Sequence, residues 1–233
     1  MSSSVVIVPT YNERENLPIL VERIFSLGIP DLRMMVVDDN SPDGSGEIAE
    51  ELSKKYPLTV IHRKEKAGIG TAYVQAFKEV LSAKPSYIIQ MDADLSHDPA
   101  VIPELLKLAE THDVALGSRY VPGGKIVNWD PARKFVSRMG NIYARSLLGL
   151  PYRDLTSGYK CFRREALEAV DLASLSSTGY NFQIETTYKA HQKGFRIAEV
   201  PISFTERKVG VSKFNLGIIL ESFWKVLLLR LHG

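Results

Sequence analysis

The chain of 233 residues has little of what marks several classes of protein. Its single cysteine, Cys161, cannot form an internal disulfide, and no zinc-ligand spacing occurs, so we expect a reducing, cytosolic compartment. A net charge of +2 argues against a nucleic-acid-binding protein. No basic segment with an apolar core precedes the first predicted strand, so we expect no signal peptide.

Short apolar runs alternate with amphipathic segments along the chain. The runs predict strands at 5–8, 34–37, 58–61, 87–91, 114–116 and 197–204. Pro201 lies in the last of these, which predicts an edge strand. This alternation predicts an α/β fold with a doubly wound, mostly parallel sheet.

Polar side chains follow three of the predicted strands at the point where each strand ends. These are Tyr11 and Glu13, then Asp38 and Asp39, then Asp92 and Asp94. Because parallel strands end at the same edge of a sheet, we expect these side chains to converge on one site. Two aspartates separated by one residue can bind a divalent cation and leave positions for substrate phosphates. A nucleotide diphosphate held through a metal ion is therefore the predicted ligand.

The glycines exclude two common nucleotide sites. The first strand is not followed by a G-x-G-x-x-G turn, and no G-x-x-x-x-G-K-S/T sequence occurs. Gly68 and Gly70 are predicted to start a helix, and Lys66 beside them could contact an anion. Neither a dinucleotide fold nor a Walker-type phosphate loop is expected.

Four motifs in order resemble a known enzyme family. They are V-P-T-Y-N-E at 8–13, V-D-D-N-S-P-D-G at 37–44, M-D-A-D-L-S-H at 91–97 and G-S-R-Y at 117–120. The sequence resembles inverting glycosyltransferases with a GT-A fold, and among these the dolichyl-phosphate (polyprenyl-phosphate) mannosyltransferases. The resemblance implies a GT-A-like domain at residues 1–214, followed by an amphipathic C-terminal helix at 215–233.

The resemblance also implies roles for particular residues. The guanosine of GDP-mannose would be bound by Pro9, Tyr11, Glu13, Val37 and Asp39. The diphosphate would be bound by Asp92, Ala93 and Asp94 through Mg²⁺ or Mn²⁺, with Ser96 as a further metal ligand, and by Arg119, Arg207 and Lys213. The acceptor phosphate would be bound by Arg119, Arg133 and Ser137. The residues expected to carry catalysis are Asp94, Arg119 and Arg133.

The implied reaction transfers mannose from GDP-mannose to a dolichyl or polyprenyl phosphate, with inversion at the anomeric carbon. A carboxylate near the position of Glu185 acts as a general base in related sugar transferases. A lipid phosphate is already ionised at neutral pH, since its second pKa is about 6, so Glu185 is expected to be structural or orienting. His97 is expected at the surface or in an indirect supporting role.

The lipid acceptor implies contact with a membrane. The apolar stretch 216–231 is interrupted by Glu221, Lys225 and Arg230, so no spanning helix is predicted. It is either a helix packed on the domain or one lying in the membrane interface. We expect a peripheral enzyme on the cytoplasmic face of a membrane, attached by its own tail or by an anchoring subunit.

Three alternatives use similar residues. A glucosyl or other glycosyl transferase acting on polyprenyl phosphate would share nearly all the motifs. A sugar-nucleotide pyrophosphorylase would carry a glycine-rich basic motif after the first strand, where this chain has P-T-Y-N-E. A non-catalytic nucleotide-sugar-binding subunit would keep Asp39 but would not need Asp92 and Asp94.

Overall fold

Strands and helices alternate in the structure as the sequence predicts. The computed structural model describes residues 3–175, 179–206 and 216–232. The strands are β1 (Ser4–Thr10), β2 (Leu32–Asp38), β3 (Leu58–His62), β4 (Tyr87–Gln90), β5 (Val114–Ser118), β6 (Lys125–Val127), β7 (Lys160–Arg163), β8 (Ile197–Pro201) and β9 (Ser203–Thr205). The helices are α1 (Asn16–Phe25), α2 (Ser45–Ser53), α3 (Ile69–Ser82), α4 (Ile102–Ala109), α5 (Pro131–Leu148), α6 (Arg164–Ala169), α7 (Tyr180–Gln192) and α8 (Leu216–His232).

Within the described residues, seven strands form the main sheet in the order β3-β2-β1-β4-β7-β5-β8. β7 runs antiparallel to both of its neighbours, and the other pairings in this sheet are parallel. The chain builds outward from β1 to β3 and then returns to add β4 on the other side of β1. The strand order therefore reverses between β1 and β4, which is where ligands bind in open α/β sheets. The predicted doubly wound, mostly parallel sheet is confirmed.

Helices cover both faces of the main sheet. On one side α1 buries Leu17, Leu20, Val21 and Ile24 in a cluster that also includes residues of α4. On the other side α3 and α7 pack together, and their Tyr73 and Phe182 rings stack with centroids 5.7 Å apart. The fold is a GT-A-like α/β fold in which the main sheet separates two hydrophobic layers.

The predicted strand at 197–204 is two strands. β8 is the edge of the main sheet, as Pro201 predicted, but the chain leaves that sheet at Ile202. The lack of an N–H on Pro201 is tolerated at this edge, and the Ile202 N–H makes the last hydrogen bond to β5, to the Ser118 carbonyl at 3.0 Å. β9 then pairs with β6 in a separate two-stranded parallel sheet, which the sequence did not predict. This small sheet lies beside the carboxyl end of β5.

The C-terminal helix α8 packs on the domain. Val226 is buried, and the Phe223 ring lies 4.3 Å from that of Tyr143 on α5. The Trp224 side chain is 61% exposed. No helix in the described ranges is both long and apolar enough to span a bilayer. The expected boundary between residues 214 and 215 lies outside those ranges.

The interior contains a buried lysine. Lys160 on β7 is fully buried, and its Nζ donates to the Gln183 carbonyl oxygen at 2.6 Å and to Thr186 Oγ1 at 3.1 Å. Burial lowers the pKa of Lys160 from 10.5 to about 7, because the charged amine loses its hydration. α7 supplies both oxygen atoms, so this lysine fixes the helix against β7.

The Lys160 pKa predicts a pH-dependent stability. Between pH 7 and 10.5 the folded chain has lost a proton that the unfolded chain keeps, so raising the pH favours the folded state. We expect the free energy of unfolding of the wild type to increase, relative to that of Lys160→Met, as pH rises from 7 to 9.5. Urea denaturation at several pH values measures this difference. A difference that stays constant would contradict the assigned pKa.

Candidate active site

The predicted polar clusters meet at one edge of the sheet. β1 lies between β2 and β4, with Thr10 opposite Asp38 and Ile7 opposite Gln90. The segments that follow these strands therefore leave the sheet side by side. As the sequence predicted, Tyr11 and Glu13, Asp38 and Asp39, and Asp92 and Asp94 follow strands that end at one edge of the sheet.

The segment after β4 forms a tight turn around its two aspartates. Leu95 has a φ of 61°, and this left-handed conformation turns the chain so that the Ser96 N–H donates to Asp94 Oδ1 at 3.0 Å. Gly158 lies against Asp92, since a Cβ built on it would be 3.3 Å from Asp92 Oδ1. A larger residue at position 158 would crowd the carboxylate. Ala93 is buried in the core and anchors the turn.

This turn fits a divalent cation shared with a bound phosphate. Among the residues that the structure describes, Ser96 Oγ is buried without a hydrogen-bond partner, and no cluster of three or more His, Cys, Asp or Glu side chains could hold a metal alone. Two aspartates and a hydroxyl leave coordination positions for phosphate oxygens and water, which is how Mg²⁺ is usually bound. Asp92, Asp94 and Ser96 remain the predicted ligands.

His97 supports the turn from inside the protein. Its Nδ1 accepts a hydrogen bond from the Asp92 N–H at 3.2 Å, and its ring stacks on Tyr159 at 4.9 Å. Burial lowers the pKa of His97 to about 4, so the ring is neutral at pH 7. The expected surface position is therefore wrong, whereas the indirect supporting role agrees with this geometry. His97 also pairs with Phe204 of β9 through an isolated β-bridge.

Arg119 is held by a carboxylate that sequence reasoning did not select. Its Nε and Nη2 each lie 2.7 Å from an Asp154 oxygen, and Nη2 also donates to Thr156 Oγ1 at 2.7 Å. Both side chains of the ion pair are buried. Such a bidentate pair fixes the plane of the guanidinium. Asp154 begins the polar sequence D-L-T-S-G, which would have been the signal for its role.

Arg133 is also paired, but nearer to solvent. Its Nη1 lies 2.6 Å from Glu206 Oε1, and its guanidinium carbon lies 3.9 Å from the Trp129 ring centroid. Ser137, one turn further along α5, accepts a hydrogen bond from the Tyr120 hydroxyl at 2.8 Å. Arg133 and Ser137 thus lie on one helix beside the end of β5.

One pocket contains most of the predicted catalytic side chains. Its lining consists of Asp92, Asp94, His97, Arg119, Trp129, Arg133, Thr156, Ser157, Gly158 and Phe204. Acidic groups after β4 and basic groups from β5 and α5 therefore share one cavity. Ser96 and Ser137 are not part of this lining, and Glu185 is buried beside Lys189, 3.1 Å away. The aromatic wall formed by Trp129 and Phe204 was not predicted.

The segments after β1 and β2 form a second group of predicted contacts. Lys66 Nζ lies 3.4 Å from the Tyr11 ring centroid, and Asp39 pairs with Arg63 at 2.5 Å. Burial raises the pKa of Asp39 above its ordinary value, and the neighbouring Arg63 opposes this shift. The Glu13 carboxylate accepts a hydrogen bond from the Asn16 side chain at 2.7 Å.

The remaining predicted contacts divide into two groups. Pro9 and Val37 are opposite each other on β1 and β2, two residues before Tyr11 and Asp39. Arg207 and Lys213 lie outside the residues that the structure describes, and their predicted roles stay predictions. Arg63 was missed by sequence reasoning, because it follows β3 without any distinctive motif.

A GT-A fold with paired aspartates where the strand order reverses is typical of nucleotide-sugar glycosyltransferases. Residues 5–171 match the family described as glycosyl transferase family 2, and the chain belongs to this family. The fold also matches glucosyl-3-phosphoglycerate synthase from Mycobacterium tuberculosis, crystallised with Mn²⁺, uridine diphosphate and glucosyl-3-phosphoglycerate. That match has a TM-score of 0.70 at 18% identity and covers 99% of this chain and 79% of the other.

Two curated relatives are much closer in sequence. The polyprenol monophosphomannose synthase of Mycolicibacterium smegmatis is 47% identical over 226 residues, which are 96% of this chain and 85% of the relative. The undecaprenyl-phosphate mannosyltransferase of Micrococcus luteus is 44% identical over 217 residues, covering 93% and 89%. The chain is therefore a glycosyltransferase whose relatives include mannosyltransferases, as the sequence resemblance indicated.

The buried Arg119–Asp154 ion pair predicts a large effect of Asp154→Asn on stability. Removing this charge leaves the buried Arg119 guanidinium unneutralised, which we expect to lower the free energy of unfolding by about 3 kcal/mol. Urea denaturation measures the loss. The matched control is Glu168→Gln, which breaks an exposed 3.5 Å contact with Arg164 and should cost less than about 1 kcal/mol. Equal losses in the two variants would contradict a structural role for the Asp154 pair.

Proposed function

We propose that this enzyme transfers mannose from GDP-mannose to a polyprenyl phosphate, such as dolichyl phosphate, with inversion at the anomeric carbon. The observation that carries the proposal is the single pocket in which Asp92 and Asp94 share the lining with Arg119 and Arg133. Such a pocket has one region suited to a metal-bound diphosphate and another suited to a second phosphate. The names of the two mannosyltransferase relatives support mannose and a polyprenyl phosphate as substrates.

The donor nucleotide is assigned to the segments after β1 and β2. The Tyr11 ring offers a stacking surface on which Lys66 now lies, and the buried Asp39 offers a carboxylate acceptor for base N–H groups. Pro9, Glu13 and Val37 complete this group. Because guanine presents adjacent N1–H and N2–H donors, a carboxylate at this position favours a guanosine nucleotide.

The diphosphate is assigned to the turn after β4. Asp92 and Asp94, with Ser96 Oγ, would hold Mg²⁺ or Mn²⁺, which would offset the negative charge of the departing GDP. Arg119 is close enough to share this task, since it lines the same pocket. Arg207 and Lys213 are assigned to the donor phosphates on the sequence resemblance alone.

The acceptor phosphate is assigned to Arg119 and Arg133, with Ser137 beside them. A guanidinium fork matches phosphate oxygens in geometry and charge. A phosphate monoester is mostly ionised at neutral pH, so its oxygen can attack the anomeric carbon without losing a proton to the enzyme. The position of Glu185 agrees with a mechanism that needs no general base, because its carboxylate is buried against Lys189 and is not part of the pocket lining.

A membrane-bound acceptor requires that the pocket face a lipid surface. α5 carries Phe135, Met139 and Ile142 on one exposed face, and Phe135 is 66% exposed. Trp224 is exposed on α8, which packs against α5. Exposed apolar side chains of this size favour the interface of a bilayer. We therefore assign these two helices to a peripheral contact with the cytoplasmic face of a membrane, with or without an anchoring subunit.

The function is tested by incubating the protein with GDP-mannose, Mg²⁺ or Mn²⁺ and a polyprenyl phosphate, followed by mass spectrometry of the lipid. We expect a mannosylated polyprenyl phosphate with the β configuration. Asp94→Ala should reduce formation of the mannosylated lipid by at least about 100-fold, because the metal ion that binds the diphosphate loses a carboxylate ligand. The control is Asp98→Asn, which removes an exposed carboxylate charge that pairs with Arg23.

Two results would contradict the assignment. Asp94→Ala with normal metal-dependent activity would show that the metal site is misplaced. Tighter binding of UDP-glucose than of GDP-mannose in calorimetry, together with glucose transfer, would show that the donor is wrong.

The membrane contact is tested by sedimentation with phosphatidylglycerol vesicles. We expect Phe135→Ser combined with Trp224→Ser to weaken vesicle binding by at least about tenfold, since two large apolar side chains no longer enter the interface. Ile19→Ser is the control, because Ile19 is an exposed apolar side chain on α1, outside α5 and α8. Equal vesicle binding by the wild type and the double variant would exclude this surface.

A further inference from the structure

Arg133 is held on two sides at the rim of the pocket. Glu206 contacts its Nη1 at 2.6 Å, and the Trp129 ring lies 3.9 Å from its guanidinium carbon. The Arg133 side chain is only 11% exposed. A guanidinium in this position has its charge balanced by a carboxylate of the same chain.

Arg119 and Arg133 differ in how firmly their partner carboxylates are fixed. Asp154, the partner of Arg119, is fully buried and also accepts the Arg119 backbone N–H at 2.9 Å. The Glu206 side chain is 37% exposed and contacts Arg133 through one oxygen. Water can therefore solvate Glu206 when it leaves Arg133, whereas Asp154 has no such alternative.

Glu206 is also fixed in position beside the pocket residues Arg133 and Phe204. Its backbone follows β9 and is fixed by a hydrogen bond from its N–H to the Val127 carbonyl oxygen at 3.2 Å. Phe204, two residues earlier, and Trp129 form the aromatic wall of the pocket. The carboxylate is thus held at the rim, next to the arginine assigned to the acceptor.

We propose that the Glu206 carboxylate is an internal competitor of the acceptor phosphate, which occupies Arg133 until the phosphate displaces it. A phosphate monoester with nearly two negative charges replaces the single charge of the carboxylate and offers more acceptor oxygens. An alcohol or water has no charge with which to displace Glu206. The exchange therefore depends on the charge of the acceptor phosphate. This inference rests on the proposed function only for the identity of the acceptor as a phosphate monoester.

The exchange predicts that removing the Glu206 charge improves phosphate binding. In Glu206→Gln the guanidinium no longer has a competing anion, and repulsion between the carboxylate and the phosphate disappears. We expect the affinity for farnesyl phosphate, measured by calorimetry without donor, to rise about three- to tenfold, in the range of a partly exposed ion pair. The affinity for farnesol, which lacks the phosphate, should change less than twofold.

A double-mutant cycle separates displacement from a general effect of charge. The effect of Glu206→Gln on farnesyl phosphate affinity is measured in the wild type and in Arg133→Gln. In the Arg133→Gln background we expect the gain in affinity to fall below about twofold, because there is no guanidinium to release. Glu168→Gln on α6 is the matched control, since it removes one exposed carboxylate that pairs with Arg164. Thermal unfolding confirms that each variant is folded.

Two further comparisons test whether the phosphate group alone carries the gain in affinity. They also separate this inference from the proposed function. Glu206→Gln should raise the affinity for inorganic phosphate as much as that for farnesyl phosphate, since both present a phosphate group. Its affinity for GDP should change less than twofold. Unchanged or weaker farnesyl phosphate binding by Glu206→Gln, or an equal gain in the Arg133→Gln background, would overturn the inference. If this gain appears but no mannose is transferred from GDP-mannose, the proposed function fails while the inference stands.

Discussion

The site depends on the parallel pairing of β1 with β2 on one side and β4 on the other. This pairing makes the three strands end at one edge, so chain segments about 30 and 80 residues apart leave the sheet side by side. Helices that cover both faces bury the strands and leave this edge as the open position for a ligand. The aspartates after β4 thereby lie at the reversal of strand order, where two bound substrates can meet.

Charge balance is the second constraint on the site. Three arginines around it each pair with a carboxylate, and the pairs differ in burial. Arg63–Asp39 and Arg119–Asp154 are almost completely buried, so they act as fixed parts of the fold. Arg133–Glu206 is partly exposed, so its carboxylate can exchange with another anion. The local position of each pair, more than the net charge of the chain, determines what it can bind.

Much of the fold and part of the site follow from local sequence. Apolar runs of four or five residues predict the central strands, and the short spacing of Asp92 and Asp94 predicts a metal-binding turn. The antiparallel direction of β7 and the small sheet of β6 and β9 were not predictable in this way. Their pairing joins residues far apart in the chain, and a three-residue strand has no periodicity that distinguishes it from a loop.

The sequence by itself determined the fold class, the family resemblance and the convergence of acidic side chains at one sheet edge, because these follow from hydrophobic periodicity and contiguous motifs. Only the tertiary structure decided which carboxylate neutralises each arginine. Asp154 and Glu206 are 35 and 73 residues from their arginines, and local sequence does not reveal burial at that separation. Burial sets the strength of a charge interaction, so the difference between a fixed pair and an exchangeable one appears only in the folded chain.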